Sequence, residues 1–125
     1  MKNPVLLLMN SRDACSVKEQ PVVEFADWRL LELPSSGDRH LIGRPIGIAD
    51  SRVTTAIQAI DLKARSLTTR SGRVYKLVSP PTVDPERLVA IYAHAAVNGL
   101  DVDTALDVSM EFWAAVVAKS PYAKG

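Results

Sequence analysis

The chain has 125 residues, 47% of them hydrophobic and 23% charged, the composition of one ordinary globular domain rather than a disordered segment. Fifteen basic side chains stand against 14 acidic ones for a formal net charge of +1. That balance excludes a uniformly basic nucleic-acid coat, an acidic DNA mimic and a polybasic membrane anchor. A single cysteine, Cys15, can form neither an internal disulfide nor a cysteine-rich zinc site, so the core alone must hold the fold.

The apolar run Val5–Met9 is shorter than the ~7–15 residues of a secretory signal core. Arg12 and Asp13 precede Ala14-Cys15, where a lipoprotein signal would stay apolar. No stretch reaches the ~18 apolar residues of a membrane span. Val5–Met9 therefore reads as a buried first strand, and the expected compartment is the cytoplasm.

Residues 22–33 read as extended, with Ala26, Trp28 and Leu30 on one face. Pro34–Asp38 is a turn and Arg39–Gly43 a return strand, followed by an irregular Gly43–Gly47. Val53–Ile60 reads as a strand on its β-branched content. The clearest local signal is the hairpin from Ser66 to Val78. A two-residue Ser71-Gly72 turn would oppose Arg70 and Arg73, which like charges disfavour. A three-residue loop with Gly72 as a left-handed bulge avoids this and pairs Thr69 with Arg73, Leu67 with Tyr75 and Arg65 with Leu77.

Pro80-Pro81 end the strands, since neither can donate to a ladder. Asp84-Pro85-Glu86 starts a helix with an N-cap acceptor, a proline at the first position and an acid in the first turn. Leu88, Ile91, Tyr92, Ala95 and Ala96 carry its period, and Asn98-Gly99 ends it. Asp101 or Asp103 is expected to cap a second helix running to Lys119, with Leu106, Met110, Trp113 and Val117 as its stripe. Val108, Phe112 and Val116 widen that stripe. The expected fold is a single α+β domain over residues 1–125. Residues 1–80 form a small antiparallel β-meander of about four or five strands, and 84–119 a C-terminal antiparallel α-hairpin.

Motif chemistry is sparse. Gly43 and Gly47 do not make a phosphate-binding loop, because no lysine follows to reach the phosphates. Asp101-Val102-Asp103 starts like a calcium loop, but Ala105 replaces the next acid. His40 and His94 lie in different halves of the chain without metal-ligand spacing, so no metal, cofactor or catalytic residue is assigned. A small enzyme pairing His40 or His94 with a distant carboxylate is the remaining catalytic alternative.

The +1 total conceals segregation. Residues 1–50 carry six basic and seven acidic side chains, 51–80 six and one, and 81–125 three and six, giving −1, +5 and −3. Arg65, Arg70, Arg73 and Lys76, with Ser71 and Gly72 at the loop tip and Tyr75 able to stack, form a candidate binding patch for phosphates or an acidic protein surface. Met110, Phe112, Trp113 and Val116 form a second candidate surface, a homodimer or partner face on the last helix.

Trp28-Arg29, His40–Gly43, Val53–Ile57 and the hairpin Thr68–Leu77 together resemble short uncharacterised proteins of bacterial genomes and mobile elements. The likeness spans residues 27–78 and carries no activity with it. It implies a bacterial accessory gene of phage or plasmid type, and so an inhibitor or regulator. The expectation is a non-enzymatic protein-binding module, with nucleic-acid binding by the hairpin 65–76 as the alternative.

Overall fold

The computed structural model describes residues 21–119. The strand expected at Val5–Met9 and the thiol of Cys15 lie outside the described residues. Seven strands and two helices follow: β1 Val22–Glu32, β2 Arg39–Pro45, β3 Arg52–Val53, β4 Ile57–Asp61, β5 Ser66–Thr69, β6 Val74–Leu77, α1 Pro85–Val97, β7 Leu106–Asp107 and α2 Ser109–Lys119. The sheet order is β3-β2-β1-β6-β5-β4, and β7 also pairs with β1.

The α+β class holds, but the sheet is mixed rather than an antiparallel meander. The first half of β1 runs parallel to β6, pairing Val23 with Tyr75 and Phe25 with Leu77. The second half runs antiparallel to β7, with Leu31 opposite Asp107. β1 is thus the central strand, flanked along its length by β2 and on the other side by two unrelated segments. Val53–Ile60 is not one strand; it divides into β3, paired with β2, and β4, paired with β5.

The β5–β6 hairpin forms in the expected register. Leu67 faces Tyr75, Thr69 N donates to Arg73 O at 3.0 Å, and Gly72 takes φ +92°. A side chain at that angle would be strained, which is why glycine stands at this point of the loop. Gly43 has a different reason. Asp27 and Trp28 bulge out of β1 together opposite it, with Asp27 at φ +49°. A Cβ at Gly43 would lie 2.9 Å from Trp28 Cα and 2.7 Å from the Phe25 ring. The stretch read as irregular from Gly43 is therefore strand as far as Pro45, tightly covered by β1.

The helices do not form a hairpin against each other. Adjacent residues of the central strands point to opposite faces of the sheet. Leu30 and Leu41 enter a core with Trp28, Phe112 and Val116, whereas Leu31 and Ile42 enter a second core with Ile91 and Ala95. Thus α2 packs on one face and α1 on the other. Doubly buried central strands read as runs such as Leu30-Leu31 and Leu41-Ile42 rather than as strict alternation.

Local chemistry moves the chain between faces. Asp84 caps α1 as expected, accepting from Glu86 N, and Asn98 and Gly99 close its far end. Asp101 does not start α2; it accepts from Thr104 N and Thr104 Oγ1 in a turn. Leu106, expected on the helix stripe, lies in β7, and α2 begins at Ser109. Ser109 is fully buried, and its Oγ accepts from Leu30 N at 2.7 Å while Val108 N donates to Leu30 O. That continues the β1 edge past the end of β7, so neither backbone group is stranded.

No helix of the described residues is long and apolar enough to cross a membrane.

Candidate functional site

The expected hairpin patch is distributed over different surfaces. Alternation along β6 sends Arg73 and Tyr75 inward, both buried, and leaves Lys76 exposed. Arg65 stacks its guanidinium over Trp113 at 6.0 Å and borders a cavity with Lys63 and Lys76. Arg70 stands 3.6 Å from Asp38 in an exposed ion pair, a contact of small energetic weight. Ser71 and Gly72 are exposed at the tip.

The second expected surface also divides. Phe112 and Val116 are core residues. Trp113 is half-buried, edge-on to Trp28 at 5.9 Å, and only Met110 among the four is well exposed, at 52%. Two side chains offered as partner anchors are instead what holds α2 to the sheet.

The structure gathers a different set. A cavity of about 580 Å³ is lined by His40, Arg52, Ser71, Arg73, Tyr75 and His94. They come from separate elements: His40 from β2, Arg52 from β3, Ser71 and Arg73 from the β5–β6 loop, Tyr75 from β6 and His94 from the last turn of α1. The histidines, 54 residues apart in sequence, line the same cavity because α1 lies against β2 and β3. Thr54 and Thr55 complete one wall, and Leu33, Val53 and Leu100 supply apolar border.

The polar groups are held in place. His40 Nδ1 lies 2.9 Å from Thr54 O. A carbonyl only accepts, so Nδ1 carries a proton and the second ring nitrogen, Nε2, is left for other chemistry. Thr54 Oγ1 accepts from Leu41 N and donates to Thr55 O, fixing the wall behind His40. Arg52 lies over the Tyr75 ring, 6.0 Å from its centroid, with Nη1 3.5 Å from the phenol oxygen. Ser71 N donates to Thr55 Oγ1 at 3.3 Å, tying the hairpin tip to the cavity wall.

Two largely buried guanidiniums dominate this surface, and none of its described lining residues is acidic. The negative end of α1 is also close, but its last carbonyls are occupied. Asn98 N bonds His94 O and Ala95 O, Gly99 N bonds Ala96 O, and Leu100 N bonds Ala95 O. The lining therefore sets two guanidiniums, hydroxyls and imidazoles around one concave surface. Among the described residues no three of His, Cys, Asp or Glu gather as metal ligands.

Arg52, Thr54 and Thr55 are missing from the patch read in the sequence. Arg52 belongs to the same +5 stretch as the hairpin, so its charge was visible there. Its place on the same cavity as Arg73 depends on β3 pairing with β2.

A second polar cluster lies elsewhere. Asp107 accepts from Arg29 Nε at 2.9 Å, Tyr92 Oη at 2.6 Å and Ser109 N at 3.0 Å. Burial would raise its carboxyl pKa, but hydrogen bonds from Arg29, Ser109 and Tyr92 outweigh burial and hold it below the ordinary aspartate value. Burial and the bond to Asp107 push the Tyr92 phenol well above its usual range, so it stays a neutral donor. Arg29 Nη1 also donates to Thr82 O at 2.8 Å. This cluster joins β1, α1, β7 and the start of α2, and its work is structural.

No protein-family model, curated protein or solved structure matches the chain.

Proposed function

We propose that the chain is a non-enzymatic binding module of regulatory type, and that it holds an anionic group of a protein partner in the cavity between β2, β3, the β5–β6 loop and α1. One observation carries this reading. Arg52, Arg73, His40 and His94 line a single concave surface. Concave sites with a few convergent polar groups and an apolar border are the usual form of a binding site.

The reading favours binding over catalysis because, among the described residues, the one hydrogen bond of the His40 ring goes to the Thr54 carbonyl and not to a carboxylate. It favours a discrete anion over a nucleic acid because the hairpin cations face different surfaces. A phosphate backbone needs a continuous basic track, and Arg73 and Lys76 point to opposite sides of β6.

Calorimetric titration with citrate and inorganic phosphate at low salt tests it. Wild type and Lys76→Ala bind alike, and Arg73→Lys, which keeps the charge but loses the fork, weakens binding about 10-fold or more. Equal loss in Lys76→Ala, or no binding by wild type, overturns the reading.

A further inference from the structure

Two surfaces of the molecule are apolar where contact with water would favour polar side chains. On α1, Val89, Ala90, Ala93, Ala96 and Val97 are all exposed and recur at the spacing of one helix face. No Asp, Glu, Lys or Arg stands between Val89 and Val97. Val97, Val83 and Val89, at 86%, 73% and 71%, are the most exposed large apolar side chains among the described residues. The second surface is on the sheet. Leu31 and Ile42 meet α1 on the face opposite the core that holds Phe25 and Tyr75. That face is left open over the first half of β1, β6 and β5. Val22, Val74, Lys76 and Val78 point to it, alternating with the buried Val23, Tyr75 and Leu77. With Lys63 they border a groove of about 620 Å³.

Length and charge match these surfaces to each other. The helix stripe from Val89 to Val97 runs about 12 Å, and three neighbouring strands span about 10 Å, so the stripe reaches across β1, β6 and β5. Glu86 lies one turn before Val89 on the line of the stripe, with Asp84 beside it, both exposed. Lys63 and Lys76 are exposed at the groove, where Glu24 is the one acid of the described lining. Among the described residues Glu86, Lys63 and Lys76 have no ion-pair partner. Arg65 adds nothing to this count, because its guanidinium already lies over Trp113. We infer that α1 of one copy docks on the open β1–β6–β5 face of a second copy. Val89 and Val97 then meet Val22, Val74 and Val78, and Glu86 meets Lys63 and Lys76. A two-fold dimer makes this contact twice and covers both surfaces of each copy. The contact uses neither the cavity nor its anion, so it stands or falls separately from the function proposed above.

Sedimentation velocity of the full chain across a range of concentrations tests it. Wild type shifts from monomer to dimer as concentration rises, and less readily at high salt. Val97→Asp, Lys76→Glu and Glu86→Lys each weaken dimerisation about 10-fold or more, with circular dichroism spectra unchanged from wild type. All three positions are exposed, and if one variant fails to fold the others carry the test. Met110→Asp, on the α2 side, dimerises as wild type does. The decisive arm mixes Lys76→Glu with Glu86→Lys. Each variant alone opposes like charges, whereas in the mixed pair both contacts again set an acid against a lysine, so the dimer returns. A chain that stays monomeric at every concentration overturns the inference. A dimer that Val97→Asp leaves intact, or that Met110→Asp abolishes, overturns the location. Failure of the mixture to regain the dimer overturns the pairing of these two faces.

Discussion

Tyr92 on α1 donates its phenolic proton to Asp107 Oδ2 at 2.6 Å, joining the helix on one face of the sheet to the strand that leads to the helix on the other. Arg29 of β1 meets the same carboxylate oxygen. Because the folded state favours ionised Asp107, its contribution to stability is complete above the unfolded carboxyl pKa of about 3.9. It is lost as pH falls through the lower folded value. Urea denaturation followed from pH 7 to pH 2 is expected to show Asp107→Asn less stable than wild type by about 1–3 kcal/mol at neutral pH. The gap narrows in the acid range. A gap that widens on acidification would contradict this account of the cluster.

The bulge of β1 over Gly43 gives a second expectation. Gly43→Ala must displace Trp28 backbone and the Phe25 ring, not the far end of a flexible side chain. A loss of about 1–3 kcal/mol is expected from such overpacking, read as a lower urea midpoint with unchanged slope. Stability equal to wild type would show that β1 and β2 lie farther apart.

Ser109→Ala removes the acceptor for Leu30 N in a fully buried position. An unsatisfied buried amide costs about 1–3 kcal/mol, and Ser109→Thr, which keeps the hydroxyl, should recover part of it if the added methyl fits. Hydrogen exchange at the Leu30 amide should accelerate in Ser109→Ala. Unchanged protection would place the partner of that amide elsewhere.

The outer and inner sides of α2 should separate cleanly. Met110→Asp leaves thermal stability within about 0.5 kcal/mol of wild type, as surface changes usually do. Phe112→Ala, emptying a core site against Trp28, costs about 3–5 kcal/mol. Similar losses from both would mean that Met110 is covered.

What the sequence reveals here is mostly what neighbours along the chain decide. The Gly72 bulge, the Leu67–Tyr75 register and the Asp84-Pro85 helix start depend on residues within one turn of each other, and all three form as read. The parallel β1–β6 ladder, the short β7 and the placement of α1 and α2 on opposite faces depend on contacts across tens of residues. One sign of that last arrangement was present in Leu30-Leu31 and Leu41-Ile42, adjacent apolar pairs that a one-sided sheet does not need. The cavity is less legible still. Arg73 and Tyr75 were singled out, but their inward direction comes from the hairpin register. The placing of His40 and His94 on one cavity comes from α1 docking on β2 and β3, which no local spacing encodes.

The most direct test follows the arginine Nε–H and backbone amide resonances of ¹⁵N-labelled protein as citrate is added at low salt. Saturable shifts concentrated at Arg52, Arg73, Ser71 and His94 are the predicted result. Shifts confined to the exposed lysines Lys63 and Lys76, or none that saturate, would contradict the cavity as the binding site.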